Sequence, residues 1–477
     1  MKILYVMRSI SHFTYHESVV KSLYSDGHRV LVLFDNGWSK NYPDTPVQAC
    51  LAANKNLTTG WSLRRKGLWR RPLFASRELL SYSSYLHRQD QDEFYTKRWQ
   101  NYQHPYVKLA VQRSKLARKF IASRPVASAL RTFERLVPPD TQIKRWLKEN
   151  RPDVVVASPV DMRFSEEVEY VKAAKSLGIP TVVPVLSWDN LTTKGLFHAI
   201  PDITLAWNRA QAGEAASIHH VPADKIVITG SPFLDKWFDA SLPTIPRDEF
   251  CRRVGLDPVR PFIVYLGSSA NIARDETWLV EKLAASLRNA TDKRLGEMTI
   301  LARPHGANQE VYKKISAPNV KVWLRDNQLP DTPGSFAEFA ASLRYAVCAA
   351  GLNTTAMVDA VIADCPVITL LVDEYRNTNA SRAVHFQYIL DAGVYEQAET
   401  VEQATSVIAD LLDGKDAKRE NRRKFILDFI RPYGLELSAG EVAARAIELA
   451  ARGKSAAQIN SEIGSRLPER EKVKSEQ

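Results

Sequence analysis

Three ionisable residues, His12, His16 and Glu17, stand close together in the run HFTYHES. A histidine there is suited to take a proton near neutral pH, because its unperturbed pKa of about 6.5 lies near working pH. If His16 and Glu17 open a helix their side chains diverge, so only one of them faces the loop that contains His12. The same run serves equally well as a polar helix cap. A second group lies in AAGLNTTAMVDA, where Asn353, Thr354 and Thr355 follow an apolar run and precede a helical pattern. Free backbone N–H groups and hydroxyls at such a helix start suit a phosphate or pyrophosphate. Asp359, about one turn on, either accepts from a ribose hydroxyl or caps the helix. Arg303 and His305 in ARPHG can meet a diphosphate, arginine having a fork matched to phosphate oxygens, or can form a structural ion pair. Ser268 and Ser269 end YLGSS, and Arg382 and His385 stand in NASRAVHF. Trp188, Asp189 and Asn190 in SWDNLTTKG, with Asp161 in SPVDMRF, either line a site or only turn the chain.

The elements that must carry these residues alternate. MKILYVMR is an apolar run followed by the polar SISHFTYHES, an amphipathic stretch to Ser25, the turn Asp26-Gly27-His28 and a second apolar run, RVLVLFD. That order is a βαβ unit and implies a parallel sheet. It returns at Asp153–Ala157, Thr181–Leu186 and Ile203–Ala206. A second register follows the Pro-rich stretch Leu242–Arg247: PFIVYLGSS, a helix over Asp275–Arg288, MTILARPH, KVWLRD, YAVCAA, a helix over Thr354–Ile362, and PVITLLV. The expected class is α/β, two doubly wound Rossmann-like domains facing across a cleft. Their bounds are 1–240, with a basic helical insertion over about 40–150, and 241–430. A closing helix (431–455) and a frayed tail (456–477) follow. Parallel sheets bind ligands at the carboxyl ends of their strands, where all the residues above fall.

Length and composition agree. At 477 residues the chain suits two or three domains at about 150 residues each, and 45 % hydrophobic with 25 % charged residues is ordinary for a globular core. Cys50, Cys251, Cys348 and Cys365 are far apart without a C-x-x-C pair, so neither a zinc cluster nor a disulfide framework is expected and a reducing compartment fits. No metal and no cofactor are expected. P-loop, zincin and α/β-hydrolase motifs have no match. The N-terminal apolar run is too short for a signal peptide, and Tyr345–Val372, the longest low-charge stretch, is broken by Asn353, Asp359, Asp364 and Pro366.

Charge is uneven. Between Trp61 and Arg151 there are 21 Lys and Arg against 7 Asp and Glu, a net +14 in a chain of net +11. WSLRRKGLWRRPLF interleaves Arg64, Arg65, Arg70 and Arg71 with Trp69 and other apolar residues. Such interleaving suits anionic lipid headgroups, a nucleic-acid backbone or a solvated face. No helix-turn-helix, zinc-finger or RNA-recognition signature accompanies it, so nucleic acid is not expected as a partner.

Taken together, HFTYHES, SWDNLTTKG, GSPFLDKW, YLGSS, RPH, GLNTTAMVDAVIADCPVITLL and RPYGLELSAGEVAARAIE resemble the two-domain glycosyltransferases of the GT-B type. The likeness is to bacterial cell-surface polysaccharide transferases, of capsule or lipopolysaccharide synthesis. The C-terminal half is also similar to CDP-glycerol glycerophosphotransferases and non-hydrolysing UDP-N-acetylglucosamine 2-epimerases. It covers about residues 1–35 and 150–450. The resemblance implies a nucleotide-activated donor, as co-substrate, on the second half and a saccharide or lipid-linked acceptor on the first. His12 or His16 would then be the base, and Arg303, His305 and Asn353–Thr355 would stabilise the departing diphosphate without a metal. The chain departs from better-marked relatives in lacking a glycine-rich first loop and the paired glutamates of retaining members, so the resemblance leaves the stereochemistry and the identity of the base open; inversion is the expected course. The implied setting is cytoplasmic, peripheral on the inner face of the cell membrane. A CDP-glycerol-type polyol phosphate transferase, a UDP-sugar 2-epimerase and a noncatalytic scaffold of polysaccharide synthesis remain alternatives.

Overall fold

In the computed structural model, which describes residues 1–40, 42–88, 93–270, 272–323, 330, 332–375 and 383–465, the apolar runs become strands of two all-parallel sheets. The first contains β1 (Lys2–Met7), β2 (Arg29–Phe34), β3 (Leu57–Trp61), β4 (Val154–Ser158), β5 (Thr181–Pro184), β6 (Ile203–Ala206) and β7 (Ile226–Ile228), in the order β3-β2-β1-β4-β5-β6-β7. The second contains β8 (Phe262–Leu266), β9 (Thr299–Arg303), β10 (Val320–Val322), β11 (Ala349–Gly351), β12 (Val367–Leu370) and β13 (Glu396–Ala398), in the order β10-β9-β8-β11-β12-β13. Both are doubly wound, Rossmann-like sheets. Central strands such as VVVAS are buried throughout, which is why they read as unbroken apolar runs.

One unit is Met1–Asp235 with Leu427–Gln477, the other Lys236–Ile426. The chain thus leaves the first unit at 235, not 240, and re-enters it at 427. In the first sheet β1 alternates: Ile3, Tyr5 and Met7 pack with the helices Phe13–Ser25, Ala439–Ala451 and Ala456–Gly464, while Leu4 and Val6 pack with Thr141–Asn150 and Glu167–Lys175. The expected frayed tail is corrected over residues 456–464, a helix with a capping box at Ser455 and Gln458 that buries Ile459 and Ile463.

Two further expectations change. The run after β1 is not a long loop: a short 3-10 turn, Ile10–His12, leads straight into the helix Phe13–Ser25, so His16 and Glu17 lie in its first two turns. The insertion holds more than helices, since β3 adds an edge strand beside β2 before the helices Arg70–His87, Glu93–Tyr102, Pro105–Arg113, Lys115–Ile121 and Arg124–Leu136.

The insertion also corrects the membrane reading of residues 64–71 at Arg65. Arg65 is 3 % exposed and pairs with Glu169 at 2.5 Å, so it cannot meet a lipid surface. Arg64 forks onto Asp35, and Arg70 reaches Glu166 at 2.5 Å. Arg77, also buried, binds Glu134 through two nitrogens at 2.8 Å and Glu169 at 2.5 Å, while Lys172 reaches Glu134 at 2.8 Å. Arg64, Arg65, Arg70 and Arg77 therefore neutralise Asp35, Glu134, Glu166 and Glu169, carboxylates of the first unit. Arg71 and Trp69 remain exposed, Trp69 beside Phe133 at 6.0 Å. Among the described residues no helix is long and apolar enough to cross a membrane.

Candidate active site

In the first unit the strand order reverses at β1, which has β2 on one side and β4 on the other, and ligands of such sheets bind beyond the carboxyl ends at that point. Register places Met7 beside Ser158, so Arg8 and the Pro159–Phe164 loop leave the sheet together. Arg8 is 7 % exposed, donates to the Arg163 carbonyl at 2.6 Å and lies 4.0 Å over the Trp38 ring. Glu167, Asp35 and Asp161 are close enough to act on its charge.

His12 caps the helix Phe13–Ser25. Its Nδ1 is covered, and its ring has no hydrogen-bond partner among the described residues. Burial first, then the charges of Arg8 and Lys194, push its pKa down to about 3, so the imidazole is neutral. His16 lies deeper, 1 % exposed, with Nε2 3.1 Å from Ser158 Oγ. Ser158 spends its own proton on the Pro184 carbonyl at 2.8 Å, so His16 must donate from Nε2. It locks β4 and β5 to the helix start, and its burial corrects the expectation that it meets an acceptor. Glu17 is corrected too: it pairs with Lys21 at 2.7 Å and takes a contact from Cys50 Sγ, on another face of the helix.

Beyond β4 and β5, Asn190 Nδ2 donates to both oxygens of Asp161 at 3.0 and 3.3 Å. Asp189 accepts from Ser187 at 2.5 Å, and from Thr193 and Lys194 at 3.0 Å. Burial raises Asp161 to about 6 against the opposing Asn190 bond, and raises Glu167, which accepts from Ser165 Oγ at 2.6 Å, to about 7. Trp188 is buried and offers a ligand little surface. The 187–195 loop is braced from the insertion: Tyr85 donates to the Thr192 and Lys194 carbonyls at 3.1 and 2.8 Å, and Arg98 to that of Thr193. Gly195 is obligatory, because a Cβ there would lie 2.9 Å from both the Asp161 carbonyl and Ser81 Oγ. The edge thus gathers His12, Asp161, Asp189 and Asn190 with Arg8, Glu167, Ser187 and Lys194, which sequence reasoning did not single out. The available signal for Arg8 was a charge ending an otherwise apolar strand.

In the second unit the reversal is at β8, between β9 and β11, and register puts Leu266 beside Arg303 on one side and Gly351 on the other. A Cβ on Gly351 would sit 2.7 Å from the Leu266 carbonyl, so only glycine permits this approach. Ser269, Arg303, His305 and Asn353–Thr355 therefore share one edge. The Arg303 guanidinium is held 4.3 Å from the Phe339 ring and 4.7 Å from that of Trp323. His305 is depressed by burial. Two residues are corrected. Ser268 is fully buried and gives its hydroxyl to Glu276 at 3.1 Å, and Asp359 accepts the Trp237 indole N–H at 2.6 Å inside the unit, so both serve the fold. The helix after the loop is short, Ala356–Ile362, with Thr354 half-buried and Thr355 exposed ahead of it. His385 is buried against Phe386 at 4.5 Å, which leaves a ligand little to touch, and Arg382 lies outside the described residues.

No protein-family model matches the chain, and no curated protein matches it. Solved structures do. A Listeria monocytogenes chain assigned as a UDP-N-acetylglucosamine 2-epimerase aligns at 11 % identity and TM-score 0.55, covering 95 % of this chain and 97 % of its own. S. aureus MnaA with UDP aligns at 12 % and 0.51 over the same shares. The Neisseria meningitidis UDP-N-acetylglucosamine 2-epimerase bound to UDP-N-acetylglucosamine aligns at 10 % and 0.50, over 93 % and 98 %. At these identities the likeness establishes a shared fold, two Rossmann-like domains of the GT-B type.

Proposed function

We propose that the chain is a nucleotide-sugar glycosyltransferase that inverts the sugar it moves, with the donor on the second unit and a saccharide or lipid-linked acceptor of a surface polysaccharide on the first. The observation that carries this is His12: a neutral imidazole without a hydrogen-bond partner among the described residues, at the carboxyl edge of a Rossmann-like sheet and flanked by Arg8 and Lys194. His12 takes the proton of the acceptor hydroxyl as its oxygen bonds to the anomeric carbon. The bond from that carbon to the diphosphate breaks on the opposite side, its electron pair leaving with the nucleoside diphosphate. Arg303, fixed between two rings, and the donors of the Asn353–Thr355 loop meet the charge that develops there. Burial first, then Arg8 and Lys194, keep the base unprotonated.

The test is a thermal-shift panel of UDP, CDP, GDP, CMP and their sugar or glycerol conjugates, repeated with Arg303→Ala. Ligand at 100 times its Kd stabilises the fold by roughly 2.7 kcal/mol. A shift with one nucleotide, lost in the variant, supports the reading; no shift with any nucleotide sinks it.

The fold shared with structures described as UDP-N-acetylglucosamine 2-epimerases favours a second reading, a UDP-sugar 2-epimerase. Incubation with UDP-N-acetylglucosamine and no acceptor separates the two: a new epimer by NMR supports this second reading, and turnover only with acceptor supports the first.

A further inference from the structure

Two neighbouring helices of the insertion turn apolar side chains outward. Pro105–Arg113 buries Val111 and exposes Tyr106, Leu109, Ala110 and Arg113. At 3.6 residues per turn those four share the side opposite Val111. Lys115–Ile121 buries Ile121 and exposes Leu116 (77 %) and Phe120 (68 %), one turn apart, with Lys115, Arg118 and Lys119 on the same exposed half. The two helices pack together on either side of Ser114, and Arg118 donates to the Val111 carbonyl at 3.2 Å, so both exposed sides belong to one packed pair. A single exposed leucine needs no explanation, but four large apolar side chains turned to water on adjoining helices mark an interaction surface.

Charge selects what covers it. Residues 105–121 hold Lys108, Arg113, Lys115, Arg118 and Lys119 and no Asp or Glu. None of the five forms an ion pair among the described residues, whereas Arg65 and Arg77 of the same insertion are committed to buried carboxylates. A second copy of the chain would set five cations against five, which costs free energy. A nucleic-acid backbone would answer the cations and leave Leu109 and Leu116 in water. A bilayer with anionic headgroups answers both: the apolar side chains enter the acyl boundary, and the long stems of Lys115 and Lys119 carry their ammonium groups to the phosphates.

We propose that the helix pair 105–121 docks on an anionic lipid surface, inserting Tyr106, Leu109, Leu116 and Phe120 and setting Arg113, Lys115, Arg118 and Lys119 at the headgroups. The membrane contact thus moves from residues 64–71, where Arg65 is buried, to a stretch whose cations face solvent beside apolar residues. The surface does not rest on the transferase reading, and its test uses neither donor nor acceptor.

Co-sedimentation of the full chain with phosphatidylcholine vesicles, with and without phosphatidylglycerol, tests it. The parent should bind only the anionic vesicles, and less tightly as salt is raised. Leu116→Ser/Phe120→Ser keeps every charge, and Lys115→Gln/Lys119→Gln keeps every apolar residue; each should weaken binding by about tenfold or more. Arg145→Gln/Lys148→Gln removes two exposed cations from another helix and should stay within about threefold of the parent. All three variants should melt as the parent does, because the altered side chains are exposed. No binding of anionic vesicles by the parent, binding untouched by the apolar pair, or equal loss in the Arg145 and Lys148 control overturns the proposal. Sedimentation velocity covers the other occupant: a parent dimer that Leu116→Ser/Phe120→Ser dissociates, without vesicle binding, gives the face to a second copy and likewise overturns it.

Discussion

A histidine pushed to about 3 is neutral throughout working pH, available to accept a proton but with little driving force to take one. Proton transfer to His12 must then accompany attack by the acceptor oxygen instead of preceding it. Replacing His12 with Ala should lower kcat by about 100-fold or more while nucleotide affinity stays within about twofold, measured by steady-state kinetics beside equilibrium titration. The pH profile of kcat/KM should show no limb from His12 between pH 5 and 8, because that ring charges only near pH 3. Burial holds Asp161 near 6 and Glu167 near 7 in the folded chain. Glu167 has a stability consequence as well. Its folded pKa is above the unfolded value of about 4.5, so the folded state holds the proton longer, and stability falls as pH rises from about 4.5 to about 7 and is flat beyond. Gln keeps an acceptor for Ser165 and cannot ionise. Glu167→Gln should therefore match the parent at pH 4.5 and exceed it at pH 8 by on the order of 3 kcal/mol, read from urea unfolding.

At the scale of elements, the insertion is a brace: its helices hold the 187–195 loop through Tyr85 and Arg98, and its arginines neutralise Glu134, Glu166 and Glu169. Taking one partner out of a buried pair strands the others, so Arg77→Met should cost about 3–5 kcal/mol in urea unfolding, while Arg71→Met, exposed, should stay within about 0.5 kcal/mol. Two arginines six residues apart in one basic run thus differ by several kcal/mol, which no reading of that run could reveal. Their partners lie 57 and 92 residues away for Arg77. The central strands were legible because burial on both faces demands unbroken apolar runs. Strands β3 and β13 were not, since LTTGW and EQA sit at sheet edges, only partly buried, and carry no such run. The same logic covers the site. Residues at strand ends, such as Arg303, Asp161 and Asn190, follow from topology, whereas the inward turn of Ser268, Asp359 and His16 depends on acceptors and donors, Glu276, Trp237 and Ser158, supplied from other elements.

At the scale of the whole chain, the last 50 or so residues complete the unit that the first residues begin. Ala439–Ala451 packs on Phe13–Ser25, the helix that His12 caps, and the two come so close at Gly440 that a Cβ there would lie 2.5–2.7 Å from atoms of Ser18, backbone included. Asp235, at the end of the unit's first segment, accepts the Ala439 and Gly440 N–H groups at 3.0 and 2.7 Å and pairs with Arg431 at 2.7 Å, fixing the start of the returning helix. The position of the candidate base is therefore set by residues more than 400 positions away. Gly440→Ala cannot be absorbed by a flexible side chain, because backbone atoms would have to move, and overpacking of this kind costs about 1–3 kcal/mol. The displaced helix carries His12 with it, so kcat should fall as well. Differential scanning calorimetry separates this from general damage: the transition of the first unit should move to lower temperature while that of Lys236–Ile426 stays in place. Equal displacement of both, or of neither, would show that the returning segment does not belong energetically to the unit it rejoins.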